Sequence, residues 1–503
     1  MYNVIDYLKS SAEIYDKKIA IIEEDKSITY SDFNDRCKRV GSFLGSRSFF
    51  NEPIIIFMDK GIDTLTAFFG AVYAGCFYSL VNPELPNNRI SAIKEVLKSR
   101  VVITDEEHIG LAGELFDDLE IYKVKELIKA DINEEVLKVA QEKHIDTDPL
   151  YINFTSGSTG VPKGVAIAHR SVIEFIDIFT ELFNFKNGDI IANQAPFDFD
   201  VSVKDIFSSM KMGATLVIIP KKYFSSPAAL LDYICDNKVT TLTWAVSALC
   251  LVTTFHGLDY KCPDTVEKIL FSGEVMPIKH LKQWIEHLPD TTFVNLYGPT
   301  EITCNCTYHV IERTRDYDGK IPIGKAFPNE RIYLMDEDGK LIDEAGKSGE
   351  ICIAGNSVGL GYYNNDEQTQ KAFTYNPNVK AYKELIYKTG DIGFFNEAGE
   401  LLFNGRKDFQ VKYQGHRIEL EEVDKAIMDV DGVVRSCTIF DEEKAKLYAF
   451  YIGDMDKKEL NLKLRETMPV YMMPTYLIKM DEFPMTKNGK IDRKKLMDER
   501  KKK

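Results

Sequence analysis

The residues best suited to chemistry lie together in one ten-residue stretch, 155–164, with the sequence TSGSTGVPKG. Four hydroxyl side chains, three glycines and one lysine, Lys163, occur here between two apolar runs. Glycine lets backbone N–H groups approach a ligand without obstruction by Cβ, hydroxyls donate hydrogen bonds to phosphate oxygens, and lysine adds positive charge. The composition predicts a polyphosphate-binding loop. A solvated glycine-serine turn between two strands is the alternative that it leaves open.

This stretch differs from the Walker P-loop. The Walker pattern requires glycine directly before the lysine and serine or threonine directly after it, whereas Pro162 and Gly164 flank Lys163. A phosphate bound here would therefore meet a different arrangement of backbone and side chains.

Carboxylates and a lysine mark further candidate sites. Asp200 begins a helix-like segment in PFDFDVS (196–202), where a plain helix N-cap is the ordinary interpretation. Glu301 ends NLYGPTE (295–301) and Asp391 ends YKTGD (387–391); either string can be a simple turn. Lys490 lies in PMTKNGKID (484–492), which can be an Asn-Gly turn in a basic tail. Residue types alone leave each of these alternatives open.

The segment GNSVG (355–359) formally matches the GxSxG nucleophile motif of hydrolases. That motif requires a helix immediately afterwards, but the following LGYYNN is a poor helix opening. No histidine is placed to complete a recognisable triad, and the eight histidines show no HExxH or zinc-type spacing. We therefore reject the hydrolase interpretation.

Length and charge limit the function classes. A chain of 503 residues is too long for one core and predicts two to four structural units. The net charge of −15 argues against broad binding to nucleic acid or anionic membranes. No apolar run approaches the roughly 18 residues of a membrane span, and the N-terminus lacks a signal-like apolar region. Nine cysteines without paired spacing favour reduced thiols, so we expect a cytoplasmic protein without membrane insertion.

Alternating strand and helix patterns must position these motifs. Strands at 53–58 and 76–81 with a helix at 63–74 between them form a βαβ unit. Ser31 and Asp32 are placed to cap an early helix, and 117–148 reads as a charged, helical surface segment. Repeated βαβ units imply a parallel sheet covered by helices on both faces. The alternation recurs at 89–104, 189–220, 228–242 and 266–296.

The pattern changes near residue 323 to short strands separated by glycine turns, which predicts a small β subdomain. The last hundred residues show a helix at 420–428, a hairpin at 433–452 and a helix at 460–468. We expect an α/β fold with a large N-terminal domain of parallel-rich sheets and flanking helices, 1–407. A small, mobile α+β lid domain, 408–503, should follow it.

Six motifs in order, from residue 30 to residue 490, resemble the adenylate-forming superfamily. This superfamily includes acyl-CoA synthetases, luciferases and the amino-acid adenylation domains of peptide synthetases. The resemblance implies that Tyr297 stacks on adenine, that Asp391 binds the ribose hydroxyls and that Glu301 helps to hold Mg²⁺. It further implies that Asp408 is the hinge of the lid and that Lys490 bridges the substrate carboxylate and the α-phosphate. Catalytic roles fall to Lys490, Glu301 and Thr155, and ATP is bound by Thr155, Ser156, Ser158, Thr159, Lys163, Asn295, Tyr297, Gly298, Thr300, Asp391, Arg406 and Lys490.

Asp200 separates branches of the superfamily, because the same aspartate in amino-acid adenylation domains pairs with the substrate's α-ammonium, which acyl and aryl substrates lack. The resemblance is strongest to stand-alone D-alanine:carrier protein ligases, which makes D-alanine the lead substrate. Those ligases carry cysteine where this chain has Ser272. The superfamily usually has an apolar residue where this chain has Lys204. Lys204 either faces solvent or makes the pocket polar, which would favour a polar or acidic side chain. The implied substrate residues are Asp200, Val201, Ser272, Leu296, Cys304 and Lys490, with Lys204, Ser247, Leu270 and Asn305 also lining the pocket.

The resemblance thus implies two half-reactions with ATP and Mg²⁺. An amino acid is activated as an aminoacyl-adenylate and then passes to the phosphopantetheine thiol of a separate acyl or peptidyl carrier protein. An acyl-CoA ligase and a non-catalytic nucleotide-binding regulator remain as alternatives.

Overall fold

The computed structural model describes residues 2–157, 161–317, 320–442, 444–485 and 491–500. Short 3-10 helices lie at Lys221–Ser225, Thr300–Ile302 and Val470–Met472. The α-helices are α1 Ile5–Ile14, α2 Tyr30–Ser46, α3 Ile62–Tyr73, α4 Asn87–Leu97, α5 Ile109–Leu115, α6 Val124–Leu127, α7 Glu134–Lys143, α8 His169–Leu182, α9 Val201–Met212, α10 Pro227–Asp236, α11 Val246–Thr254, α12 Gly257–Tyr260, α13 Ile278–His287, α14 Asp366–Ala372, α15 Leu420–Met428, α16 Lys457–Thr467 and α17 Arg493–Glu499.

The strands are β1 Ile19–Glu23, β2 Lys26–Thr29, β3 Pro53–Phe57, β4 Phe77–Leu80, β5 Val101–Thr104, β6 Glu120–Lys123, β7 Pro149–Thr155, β8 Lys163–Ala168, β9 Ile190–Asn193, β10 Thr215–Ile218, β11 Thr241–Ala245, β12 Lys268–Ser272, β13 Thr292–Tyr297, β14 Thr307–Val310, β15 Lys325–Ala326, β16 Glu330–Met335, β17 Gly349–Gly355, β18 Gly361–Tyr362, β19 Phe373–Tyr375, β20 Leu385–Phe395, β21 Leu401–Arg406, β22 Gln410–Tyr413, β23 His416–Glu419, β24 Val433–Asp441, β25 Lys446–Gly453 and β26 Tyr476–Lys479.

Two compact units account for the chain. The first contains Met1–Pro83, Leu97–Asn153 and Gly164–Lys407, and the second contains Glu84–Val96, Phe154–Lys163 and Asp408–Lys503. Two segments that the sequence placed with the N-terminal domain, including most of the phosphate-loop stretch, thus group with the C-terminal residues.

The first unit is built on two large sheets. Among the described strands, one sheet has the order β15-β14-β13-β12-β11-β9-β10-β1-β2 and the other β18-β8-β7-β4-β3-β5-β6. The central pairs are parallel, as the βαβ repeats predicted. Every residue of β3 is buried, which suits a parallel strand covered on both faces. A smaller antiparallel sheet, β16-β17-β20-β19 with β21 paired to β20, forms the predicted β subdomain.

The second unit contains the C-terminal elements. β24 and β25 form the predicted hairpin, β26 pairs parallel with β25, and α15 has the predicted bounds. Buried side chains of α15, α16 and β25 share one apolar cluster. These elements give the unit a core of its own.

Two local predictions are wrong. Thr29, not Ser31 or Asp32, caps α2, because its side chain accepts the Asp32 N–H and Tyr30 already has helical geometry. The segment 117–148 is not only a solvated helical surface: it contains β6, which pairs with β5 at a sheet edge. Edge strands often carry charged side chains, which discourage pairing with another chain, and such residues hide this strand in the sequence.

Candidate active site

The predicted substrate residues meet at the carboxyl ends of parallel strands. β11, β12 and β13 run parallel, and Ser272 and Leu296 lie at or next to the ends of the last two. Ligands of open α/β sheets bind at this edge, where loops and helix starts converge. α9 begins beside them at Val201, directly after Asp200.

The Asp200 carboxylate does not cap its helix. Asp200 has helical backbone angles and makes no side-chain capping hydrogen bond to α9, so the ordinary interpretation of this residue is wrong. Its charge acts instead on buried neighbours, since it helps to raise the pKa values of Tyr151 and Cys304, for which burial is the largest cause. The carboxylate therefore contributes negative charge to the predicted pocket.

Lys204 is completely buried, and the alternative that it faces solvent is wrong. Its Nζ donates to Ser272 Oγ at 3.2 Å and to Asn305 Oδ1 at 3.0 Å. Ser272 and Asn305 are 3% and 2% exposed, so the ammonium group and both acceptors are withdrawn from bulk water. The ammonium group also opposes the rise that burial causes in the pKa of Cys304. The structure thus brings three predicted pocket residues around one cation.

Two further charged residues, Lys60 and Asp205, lie near the pocket residues. The sequence analysis did not identify either of them. Lys60 Nζ donates to Asn193 Oδ1 at 3.1 Å and to the Gln194 carbonyl at 3.0 Å, and burial lowers its pKa to about 7. Asp205 accepts from Asn193 Nδ2 at 2.9 Å and from the Thr243 hydroxyl. Burial raises the Asp205 pKa to about 7, against the effect of these hydrogen bonds and of the nearby lysines. Asp205 directly precedes Ile206 and Phe207 in α9, and a carboxylate beside this apolar pair was the available signal.

The segment that carries Cys304 is held in strained geometry. Thr303 and Cys304 have φ angles of 53° and 80°, which are unfavourable for side chains other than glycine, and most of all for a β-branched one. Thr303 Oγ1 donates to the Ser357 carbonyl at 2.7 Å and fixes this conformation. Ser357 is 2% exposed and is followed by the short strand β18, not by a helix. The GxSxG match therefore supports this loop and does not form a nucleophile elbow.

Gly298 makes close packing in the same region possible. A Cβ added at Gly298 would lie 2.6 Å from Asn305 Cα and 2.7 Å from the Cys304 carbonyl oxygen. A side chain would push residues 304 and 305 away from β13. Gly298, for which the sequence predicts an ATP contact, sets the position of two pocket residues.

Asp391 joins two of the predicted nucleotide-binding residues. Tyr297 Oη donates to Asp391 Oδ2 at 2.5 Å, and Arg406 forms an ion pair with Asp391 Oδ1. Asp391 is 2% exposed, and burial followed by its charge raises the Tyr297 pKa. A carboxylate offers about four acceptor sites, so these two donors leave acceptor capacity for hydroxyl groups of a ligand.

Glu301, the predicted metal ligand, is completely buried on the 3-10 helix after β13. Tyr362 Oη donates to Glu301 Oε1 at 2.8 Å, and the Gly359 N–H donates to its carbonyl at 2.8 Å. Asn295 is used in a different way, since its Nδ2 donates to the Pro322 carbonyl at 2.9 Å. Carboxylate oxygen is a ligand type that Mg²⁺ prefers, so Glu301 fits the predicted role chemically.

The phosphate-loop stretch is described up to Gly157 and again from Val161. Thr155 Oγ1 is buried and has no hydrogen-bond partner among the described residues. Buried hydroxyls are normally hydrogen-bonded, so this one is suited to donate to a ligand oxygen. A Cβ on Gly157 would lie 2.1 Å from the Val161 carbonyl oxygen, so only glycine fits the turn. Lys163 begins β8 and lowers the pKa of Glu419, which burial raises overall. Ser158, Thr159 and Lys490 lie outside the described residues.

Ser156 and Gly157 are held within the second unit. Ser156 Oγ donates to the Arg417 carbonyl at 2.8 Å, and the Gly157 N–H donates to Glu422 Oε2 at 3.2 Å. Glu422 also forms a buried ion pair with Arg89. The start of the stretch is therefore fixed by residues far from it in sequence.

Comparison with known proteins identifies the family. The family model described as AMP-binding enzyme matches residues 8–363. The chain belongs to the AMP-binding enzyme family. This AMP-binding enzyme is an ATP-dependent, AMP-forming ligase, as the sequence predicted.

Two curated relatives align along almost their full lengths. A D-alanine--D-alanyl carrier protein ligase of Lacticaseibacillus casei is 32% identical, over 99% of each chain. The protein of the same name from Bacillus cytotoxicus is 34% identical, over 95% of this chain and 96% of its own. The predicted resemblance to stand-alone carrier protein ligases is confirmed.

Solved structures share the fold. The adenylation domain AlmE of Vibrio cholerae, solved with glycyl-adenosine-5'-phosphate, superposes with a TM-score of 0.87 at 22% identity, over 100% of this chain and 98% of its own. The α/β fold class is thereby confirmed. Among the residues that the structure describes, no helix is both long and apolar enough to cross a membrane.

Proposed function

We propose that this enzyme activates an amino acid with ATP and transfers it to the phosphopantetheine thiol of a carrier protein. The observation that carries the proposal is Asp200, a carboxylate at the start of α9 that is not used as a helix cap. In the amino-acid adenylation branch that the sequence resembles, the aspartate at this position pairs with the substrate α-ammonium, a charge that acyl and aryl substrates lack. D-alanine, the amino acid in the names of the curated relatives, is the first candidate substrate.

The first half-reaction forms an aminoacyl-adenylate, a mixed anhydride of the amino acid and AMP. An oxygen of the substrate α-carboxylate attacks the α-phosphorus of ATP, the bond from that phosphorus to the bridging oxygen breaks, and pyrophosphate leaves. We assign the ribose to Asp391 and the phosphates to the 155–164 stretch, where the Thr155 hydroxyl is available. Positioning and charge neutralisation account for most of such catalysis.

Lys490 and Glu301 take the remaining charged roles. Lys490 neutralises the charge that develops between the substrate carboxylate and the α-phosphate. Glu301 would hold Mg²⁺, which supplies further positive charge to the phosphates when it is bound.

The second half-reaction is thioester formation. The carrier thiolate attacks the carbonyl carbon of the aminoacyl-adenylate, a C–S bond forms, the C–O bond to phosphate breaks, and AMP leaves. We propose that residues 408–503 act as the lid and that Asp408 is its hinge. The apolar cluster shared by α15, α16 and β25 supports a lid with a core of its own.

Amino-acid-dependent exchange of pyrophosphate into ATP tests the first step. We expect exchange with the wild type and an almost complete loss in Lys490→Ala, since a positioned cation supplies roughly 3–4 kcal/mol to such a transition state. Lys487→Ala, in the same motif, is the matched control and should retain exchange. Wild-type exchange in Lys490→Ala would assign Lys490 to a basic tail.

The acceptor distinguishes the alternatives. We expect loading of a phosphopantetheinylated carrier protein and no comparable rate with free coenzyme A. A faster reaction with coenzyme A would favour an acyl-CoA ligase, and ATP binding without exchange would favour a regulator.

A further inference from the structure

The predicted pocket contains a cation that a small apolar side chain does not require. Lys204 has no exposed surface, and its Nζ lies 3.2 Å from Ser272 Oγ and 3.0 Å from Asn305 Oδ1. Lysine is almost never fully buried unless its charge is paired. Both of these hydrogen-bond acceptors are neutral, so they satisfy two donors of the ammonium group without balancing its charge.

The charged groups near Lys204 have other interactions. Asp205, the next residue on α9, accepts from Asn193 and Thr243, and it interacts electrostatically with both Lys204 and Lys60. No carboxylate of the described residues forms an ion pair with Lys204 within 4.0 Å. In the proposed reaction Asp200 is taken by the substrate ammonium. Asp205 thus shares its charge between two lysines, and Asp198 also acts on Lys60. Lys204 is left with neutral groups as its direct hydrogen-bond acceptors.

Ser272 and Gly273, where β12 ends, are small residues. Gly273 directly follows Ser272 and has a φ of 97°, and a Cβ added there would meet no heavy atom within 4 Å. Ser272 itself presents only a hydroxymethyl group. Neither position therefore places a bulky side chain next to this hydrogen-bond acceptor of Lys204.

We propose that the substrate of this enzyme is an amino acid whose side chain ends in a carboxylate, and that Lys204 binds this carboxylate. The inference rests on the proposed amino-acid activation and specifies its substrate class. Each charge of such a substrate then has an assigned role. The α-ammonium pairs with Asp200, the side-chain carboxylate pairs with Lys204, and the α-carboxylate attacks ATP.

A methyl side chain leaves the Lys204 charge unbalanced, and an amide side chain offers only a neutral acceptor in addition to Ser272 and Asn305. A carboxylate supplies the missing charge in a site withdrawn from water, where charge-assisted hydrogen bonds are strongest. Charge, rather than shape alone, would then separate the acidic amino acid from its amide. D-alanine, the substrate named for the relatives, becomes the competitor in the test.

Pyrophosphate exchange with both enantiomers of aspartate, glutamate, asparagine, glutamine and alanine tests this inference on the wild-type enzyme. We expect one acidic amino acid to exceed its own amide and both alanines by at least about tenfold in kcat/KM. Greater or equal activity with D-alanine or with an amide overturns the inference while leaving amino-acid activation intact. Exchange with none of the ten substrates would overturn this inference and the D-alanine candidate together.

Substitution of the lysine isolates its role. Lys204→Met keeps the length of the side chain and removes the charge, so kcat/KM for the preferred acidic amino acid should fall at least about thirtyfold, with a smaller change for alanine. Lys211→Met is the matched control, because Lys211 lies on the same helix and pairs with Asp177 at 2.6 Å. A uniform fall for every amino acid in Lys204→Met would overturn the specificity role. If Lys204→Met does not fold, the wild-type comparison of acid with amide decides the question.

Discussion

Replacement of Asp391 by asparagine should weaken both the fold and ATP binding, because Arg406 and Tyr297 share this carboxylate. The Asp391 and Arg406 side chains are 4% and 11% exposed. Removing one member of a buried ion pair costs about 3–5 kcal/mol. The amide oxygen can still accept one hydrogen bond, so we expect the lower end of that range.

Tyr297→Phe removes one hydrogen bond to a charged acceptor and should cost roughly 1.5–3 kcal/mol. Because Tyr297 and Asp391 act on each other directly, the double variant should cost less than the sum of the single variants. A difference of about 0.5–3 kcal/mol is typical of residues in contact.

Urea unfolding measures the stability changes, and the KM for ATP in pyrophosphate exchange measures the effect on binding. If Asp391 accepts the ribose hydroxyls, loss of about 1.4 kcal/mol of binding raises that KM roughly tenfold. Asp232→Asn is a control, since Asp232 pairs with Lys261 at an exposed position and its replacement should change the free energy of unfolding little.

Two results would refute this reasoning. Additive costs in the double variant would show that Tyr297 and Asp391 do not share one interaction. An unchanged KM for ATP in Asp391→Asn would remove Asp391 from the nucleotide site, whatever its effect on stability.

Three further predictions concern other parts of the chain. Gly157→Ala places a Cβ 2.1 Å from the Val161 carbonyl oxygen and should lower kcat/KM for ATP at least about tenfold. The control is Gly188→Ala, which should leave kcat/KM unchanged because a Cβ there meets nothing within 4 Å. Equal effects of the two substitutions would contradict the close packing at Gly157. Asp408→Pro restricts φ and removes an N–H, so carrier loading should fall more than pyrophosphate exchange, and an equal fall in both would argue against a hinge. Burial raises the Glu330 pKa from 4.5 to about 7, so the folded state holds the carboxyl proton more tightly than the unfolded state. The free energy of unfolding therefore falls as the pH rises between these two pKa values. Urea unfolding at pH 5 and pH 8 should show a smaller loss in Glu330→Gln than in the wild type, and the same loss in both would disprove it.

The repeated βαβ pattern and the ordered motifs were enough to predict the fold class and the reaction class. β3 shows why, because a short run of five apolar residues followed by a helix pattern and a second apolar run is typical of a buried strand in a parallel sheet. The α15 bounds and the β24–β25 hairpin were equally readable, since they depend on local periodicity and turns. The edge strand β6 was missed because its residues are charged and its position depends on pairing with β5.

The burial and the bonding partners of Lys204 and Asp391 depended on contacts between distant parts of the chain. Lys204 could have been on a solvated helix face or in a pocket, and only the packing of α9 against residues 68 and 101 positions away buries it. Asp391 likewise meets Tyr297 across 94 residues. The exposure of a lysine or aspartate is set by which strands and loops fold around it, and helical or strand periodicity carries no information about those partners. Residue types therefore predicted the chemistry, whereas tertiary packing placed the charges that bear on which amino acid the enzyme accepts.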